Sequence, residues 1–243
     1  METLVENLAD AGHILFHEGV LDAFGHVSAR HPDGDRFLMS RSMAPAQAGP
    51  DDILTFGLDG EPIEAHGHKV FLERYIHAAL YRARPEIRAV VHSHAPALIP
   101  FGVVRGATLR PICHMSGFLA RGAPVFDIAE AAGDGSDMLI RDNRLGDALA
   151  ARMGDATVVL MRGHGVTVAA DSLEKAVYCA VYAQVNARLV LDSVRLGGEI
   201  RYLTVAEALA AERANDSQIG RAWDLWRRAA RQATAVFREP SNA

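Results

Sequence analysis

The residues best suited to chemistry lie in the stretch Ala89 to His94, which reads Ala-Val-Val-His-Ser-His. β-Branched residues running into histidines at i and i+2 predict a buried strand whose end presents both imidazoles. With Ser93 turned the other way, His92 and His94 share one face about 7 Å apart along the strand, within reach of one cation. A His-x-His pair alone also fits surface histidines with no chemical role, so a third donor decides the matter. His164 supplies it: it stands between Gly163 and Gly165 directly after the apolar run Thr157 to Met161, where glycines let the backbone bend and a ligand approach. Upstream, Glu73 and His77 are four residues apart on a helical pattern and share a face that could point to the same region. Three imidazoles beside a carboxylate suit one catalytic divalent ion with an open coordination position, and zinc, manganese, iron and cobalt all fit such donors. His13 and His17 are also one helical turn apart, but no third donor adjoins them, which favours a solvated or capping role.

These residues need elements to position them. Leu4, Leu8, Ala11 and Leu15 recur at helical spacing and predict a packing helix over Leu4 to Val20, with Gly19 as its stop. Gly25 to His31 and Arg36 to Ser40 read as a hairpin around Pro32-Asp33-Gly34-Asp35. Asp51 to Phe56 is a strand, Glu61 to Lys69 a polar loop, and Val70 to Arg82 a helix ended by Arg84-Pro85. Further on come a strand at Pro124 to Ile128, a helix at Asn143 to Met153, and strands at Thr157 to Met161 and Val166 to Ala169. Ser172 caps a long helix to Leu196, closed by Gly197-Gly198. Two helical stretches from Thr204 to Phe237 carry Trp223 and Trp226, whose apolar face reads as a packing or subunit surface rather than a cofactor box. Strands interleaved with helices predict an α/β chain with one mixed central sheet covered on both sides. A single domain over residues 1–243 is the expectation.

Composition bounds the function classes. A net charge of -5 gives no general attraction to nucleic acid or an anionic membrane surface. Cys113 and Cys179 form no framework and no CxxC, which fits a reducing cytoplasm. The acidic N-terminus does not resemble a signal peptide, and no apolar run has spanning length. A cytoplasmic protein acting on small molecules is expected.

Glu73-x-x-x-His77, His92-Ser93-His94, Arg162-Gly163-His164-Gly165 and Gly25-His26-Val27-Ser28-Ala29-Arg30 together resemble the class II aldolase/adducin family, over about Leu4 to Leu209. The resemblance implies a three-layer α/β/α fold with a central mixed, mainly antiparallel sheet, assembled as a homotetramer with active sites at subunit interfaces. It implies that His92, His94 and His164 bind the metal and that Glu73 performs acid/base work beside it. The sugar-phosphate aldolases of the family carry Asn where this chain has His26, Thr-Pro-Ser-Gly where it has Ser40-Arg41-Ser42, and Pro-Ser-Ser where it has Val70-Phe71-Leu72. A phosphate needs N–H and hydroxyl donors around a concave site, and these departures remove them, so a sugar phosphate is not the expected substrate.

A divalent ion chelated by substrate oxygens stabilises the charge that develops in either retro-aldol cleavage or decarboxylation. Decarboxylation also needs an acid to protonate the vacated carbon, and Glu73 meets that need if an apolar surround raises its proton affinity. Arg41 and Arg162 could bind a substrate carboxylate bidentately, or form ordinary surface ion pairs. Ser40 and His26 join the expected substrate contacts; His114 could touch substrate, ligate metal or sit in a structural hydrogen bond. The runs Ser40 to Pro45, His114 to Leu119 and Met161 to Gly165 are similar to the family's decarboxylases of hydroxylated aromatic or pyridine dicarboxylates, such as 3,4-dihydroxyphthalate or 3-hydroxy-2-methylpyridine-4,5-dicarboxylate. That reaction is the expectation. The alternatives are a retro-aldolase of a non-phosphorylated hydroxy-keto acid and a non-catalytic adducin-like interaction module, the latter disfavoured because such a role has no need of the three histidines and Glu73.

Overall fold

The computed structural model describes residues 1–238, with side chains to residue 234, so the last five residues of the expected 1–243 domain lie outside the described residues. In chain order the elements are α1 (Glu2–His17), β1 (His26–Arg30), β2 (Arg36–Ser40), β3 (Ile53–Gly57), α2 (Arg74–Ala83), β4 (Ala89–Ser93) and α3 (Ile99–Val103). They continue with β5 (Val125–Phe126), α4 (Ile128–Ala132), α5 (Asn143–Met153), β6 (Val158–Met161), β7 (Gly165–Ala170), α6 (Leu173–Arg195), α7 (Val205–Asp216) and α8 (Ile219–Arg238). The described strands form one sheet ordered β3-β2-β1-β4-β7-β6-β5. Only the β5–β6 pairing is parallel, so the sheet is mixed and mainly antiparallel, as expected.

Both faces of this sheet are buried, and the two-residue period of a strand divides its side chains between them. Val27 and Ala29 of β1, Ala89 and Val91 of β4, and Val166 and Val168 of β7 join Leu8 and Ile14 of α1, Val177 of α6 and Trp223 of α8 in one core. Val90, Val159, Met161 and Ala169 face the other way, into a second core with Ile76 and Leu80 of α2 and Leu149 of α5. Helices on both sides give the three layers. The same alternation turns His26, Ser28 and Arg30 of β1, and His92 of β4, toward the α2 side, because their neighbours Val27, Ala29 and Val91 occupy the opposite core. The Trp223 face is therefore packing surface within the chain, in agreement with the sequence.

Local chemistry explains most boundaries. Ser172 accepts from the Lys175 N–H at the start of α6, Asp142 from Leu145 at the start of α5, and Thr204 with Glu207 forms a capping box on α7. Two expectations are corrected. The strand expected at Pro124 to Ile128 is only Val125–Phe126, because Asp127 accepts from the Ala129 N–H and starts α4. The helix expected from Val70 begins at Arg74, which leaves Glu73 at its N-cap rather than one turn inside. Residues 69–71 are held outside the helix: the Lys69 carbonyl accepts from the Ser42 N–H at 2.8 Å and the Phe71 carbonyl from Arg74 Nη1 at 3.2 Å. Among the described residues no helix is long and apolar enough to cross a membrane.

Candidate active site

His92 is directly opposite His26 on β1 and Thr167 on β7, at the end of the sheet where β4 gives way to His94. A close fit brings the strands there. Gly25 takes a φ of 87°, and a Cβ on it would meet Leu21 Cδ2 at 2.6 Å and the His92 carbonyl at 2.8 Å, so only glycine admits β1 this near the histidine strand. Gly163, with φ of 65°, makes the turn that swings His164 back over the same end.

Nε2 of His94 is 3.3 Å from Nε2 of His92 and 3.0 Å from Nε2 of His164. Glu73 Oε2 closes the group, 3.5 Å from His92 Nε2 and 3.4 Å from His164 Nε2. Backing groups set which nitrogen is free. His164 Nδ1–H donates to the Met138 carbonyl at 2.8 Å, which leaves Nε2 as a lone pair. Thr167 directs its own hydroxyl hydrogen at Met161 Sδ, so its oxygen accepts from His92 Nδ1 at 3.2 Å, and Nε2 of His92 is likewise a lone pair. Ligands about 2.0–2.1 Å from a tetrahedral ion are about 3.3 Å apart, the spacing found here. Acceptor lone pairs and a carboxylate converging at that spacing fit a divalent cation held by His92, His94 and His164 with Glu73 beside it.

The electrostatics agree. Burial, reinforced by the other imidazoles, lowers His94 to about 4, so it is neutral and able to ligate at neutral pH. Burial lowers His164 as well, but the Glu73 carboxylate outweighs it and raises that histidine overall, so the centre draws in positive charge. For Glu73, burial acts to raise the carboxyl, and His92 and His164 more than cancel it, holding it well below the usual carboxylate range. The expectation of a raised Glu73 is thus corrected: its histidine neighbours outweigh its burial, and the resting group is a carboxylate. Its other oxygen, Oε1, accepts from the Ile140 N–H at 3.0 Å. Met138 and Ile140, two residues apart in one connecting segment, grip His164 and Glu73 respectively.

His77 does not face this cluster. It is fully buried behind it, with Nε2 2.6 Å from His26 Nδ1 and Nδ1 2.6 Å from the Ser28 hydroxyl, which in turn is 2.8 Å from the Tyr81 hydroxyl. The His26 ring lies 5.1 Å from that of His92 and 4.7 Å from that of Phe71, so His26 borders the cluster. Ser40 ends β2, and Arg41 pairs with Asp52 at 2.7 Å in the loop tied to Lys69, beside the segment leading to Glu73 but without contact to the cluster. Arg162 pairs with Asp127 at 2.7 Å and stays partly exposed. His114 is exposed; its bonds go to Asn215 of α7, from the Asn215 amide to the His114 carbonyl at 2.8 Å, and none goes to the cluster. His13 bonds the Ala48 carbonyl through Nε2 at 2.8 Å, a structural role. Sequence reasoning missed Thr167, Met138 and Ile140, whose backing comes from remote strands and backbone; Ser28 and Tyr81 carried a signal, at i+2 from His26 and i+4 from His77.

Residues 6–191 match the class II aldolase and adducin N-terminal domain. The chain belongs to that family. Within it, this class II aldolase and adducin family member is 37% identical to decarboxylase tropJ of Talaromyces stipitatus, over 88% of this chain and 89% of that one. It is 33% identical to the 3,4-dihydroxyphthalate decarboxylase of Arthrobacter keyseri, over 82% of each. The fold superposes on an aldolase II superfamily protein from Pseudomonas syringae with a TM-score of 0.77 at 20% identity, covering 96% of this chain and 93% of that one, a likeness of fold alone.

Proposed function

We propose that this family member is a divalent-metal-dependent, non-oxidative decarboxylase of a hydroxylated aromatic or pyridine dicarboxylate, with 3,4-dihydroxyphthalate as the leading substrate. The observation that carries the reading is similarity over most of the chain to relatives named as decarboxylases, one of them of 3,4-dihydroxyphthalate, in a chain that has the whole His92, His94, His164 and Glu73 set. It is a carbon–carbon lyase. The three histidines hold the ion, which when bound supplies a positive charge to the substrate's hydroxyl and carboxylate oxygens.

Glu73 enters the cycle as a carboxylate and so acts first as a base. It takes the proton of the substrate hydroxyl, and the resulting oxyanion pushes electron density to the ring carbon that bears the departing carboxylate. Glu73 returns the proton to that carbon; the bond to the carboxylate then breaks, carbon dioxide leaves, and the bonding pair restores the ring and the oxyanion, which regains a proton from water. The cycle consumes one proton overall and leaves Glu73 ionised, as it began. The Ile140 N–H on Oε1 keeps Oε2 as the oxygen that works. His26 and, from their loops, Ser40, Arg41 and Arg162 border the substrate; the two arginines reach a substrate carboxylate by leaving Asp52 and Asp127, which are partly exposed pairs of small worth. His114 contributes only if a neighbouring subunit brings it to a site, since within one chain it is bound to Asn215.

The assembly is a homotetramer with sites at subunit interfaces. Large apolar side chains exposed around the site, Phe24 at 66% and Leu72 at 52%, support it. The test of function is a panel of ortho-hydroxy aromatic dicarboxylates and hydroxy-keto acids, read for carbon dioxide and for aldehyde. Carbon dioxide from 3,4-dihydroxyphthalate is expected; aldehyde from a hydroxy-keto acid without it would replace this reading by retro-aldol cleavage.

A further inference from the structure

Behind the metal ligands runs a buried chain of hydrogen bonds with a fixed direction. Its members are Tyr81 and His77 on one face of α2, four residues apart, and Ser28 and His26 on one face of β1, two residues apart. Tyr81 is buried to 1% exposure, and its hydroxyl has Ser28 as its side-chain partner among the described residues. A buried phenol must place its hydrogen on an acceptor, and burial pushes the Tyr81 hydroxyl well above its ordinary value, so the hydrogen is present. Tyr81 therefore donates to Ser28, and Ser28, with its own hydrogen free, donates to His77 Nδ1. A neutral imidazole that accepts at one nitrogen carries its hydrogen on the other, so His77 Nε2–H donates to His26 Nδ1. By the same rule His26 carries its hydrogen on Nε2. The reverse direction would leave the Tyr81 hydrogen facing no acceptor.

That Nε2–H is the end of the chain. It has no hydrogen-bond partner among the described residues, on a residue that is 4% exposed. The ring that carries it packs between His92 and Phe71, two residues before Glu73. Resting on the decarboxylase reading, we propose that His26 binds an anionic oxygen of the substrate, the carboxylate that is retained or the hydroxyl oxygen, as a neutral Nε2–H donor, and that Tyr81, Ser28 and His77 are positioning residues that fix this tautomer. A neutral donor is suited to this contact because it recognises the oxygen without adding a second positive charge beside the metal.

The test uses the full-length, metal-loaded protein labelled with nitrogen-15 in histidine, with His26 assigned by the signals lost in His26→Asn. The expected pattern is a hydrogen-bearing Nε2 and a bare Nδ1 for both His26 and His77, read without any substrate and so independent of which reaction is catalysed. A hydrogen on His26 Nδ1 overturns the proposal. With 3,4-dihydroxyphthalate, His26→Phe should raise KM at least tenfold, and more than it lowers kcat, because a hydrogen bond to a charged group is worth about 1.5–3 kcal/mol. His26→Asn, which keeps an N–H donor, should recover part of the loss, and Tyr81→Phe should mix the two His26 tautomers and raise KM severalfold; if His26→Phe does not fold, Tyr81→Phe alone carries the kinetic test. An unchanged KM in the folded variants overturns the proposal. Should that acid release no carbon dioxide, the decarboxylase reading fails separately, and the dissociation constant from titrating it against the His26 signals takes the place of KM, unmoved His26 signals at millimolar acid overturning the proposal.

Discussion

Thr167 Oγ1 accepts from His92 Nδ1 at 3.2 Å, a hydrogen bond that orients the most deeply buried imidazole of the histidine cluster. Thr167→Val keeps the shape and removes the acceptor. Metal affinity should fall about 10- to 100-fold, the usual effect of losing a group that backs a ligand. Competition against a chelator of known affinity measures it, and an unchanged affinity would show that strand packing alone aims His92.

Replacing His92 and His94 together by Ala should abolish stoichiometric metal, because it leaves His164 and Glu73 as the only donors of the cluster. Elemental analysis of the wild-type protein should give one divalent ion per chain. Retention of the full complement by the double variant would place the ion elsewhere.

Glu73→Gln preserves size but can neither accept the substrate's proton nor return it. Turnover should fall by about 10² to 10⁴, with metal content staying near one per chain. Single-turnover rate and metal content taken on one preparation decide between this role and simple ligation, in which the ion would leave with the activity.

The histidine pair behind the site makes stability depend on pH. Burial lowers His77 to about 3, from an ordinary value of 6.5, and burial with the neighbouring His77 and His92 lowers His26 as well. Between pH 6.5 and about 3 the unfolded chain binds protons that the folded chain refuses, so stability is complete above 6.5 and declines as the pH falls through that window. Each histidine that stays neutral in the fold costs about 1.4 kcal/mol per pH unit. Thermal unfolding of the metal-free protein from pH 7 to pH 4 should show this decline, and His77→Gln should flatten it.

Sedimentation at micromolar concentration should give a species of four chains. A monomer alone would leave Phe24 and Leu72 exposed beside the site and would end the tetramer reading.

The clustering of the three histidines could be read from the sequence because each of its parts is local: a strand's period puts His92 and His94 on one side, and glycines mark the turn at His164. Glu73 was readable as a residue but not in its setting. The apolar run Val70-Phe71-Leu72 imitates a helical face, and what holds it out of the helix is the bond from Ser42 to Lys69, 27 positions apart in the chain. The same limit applies to the arginines. Asp52 and Asp127 are ordinary acidic residues in the sequence, and nothing there pairs them with Arg41 and Arg162. His26 and His77 bond across 51 positions, so a histidine that helical spacing could turn toward the same region as Glu73 belongs instead to the layer behind the cluster.

Met138 and Ile140 hold the cluster from outside the sheet, one through its carbonyl and the other through its amide, and Met138 adopts a φ of 71° that a side chain of its kind rarely takes. The segment's two bonds to the cluster, from the Ile140 amide and to the Met138 carbonyl, depend on Glu73 and His164 being themselves held in place. The connecting segment is therefore a built-in occupancy gauge: exchange of the Ile140 amide hydrogen with solvent should be slow with the ion bound and quicken when it is stripped, so a backbone position that never touches the metal would report whether the enzyme is charged.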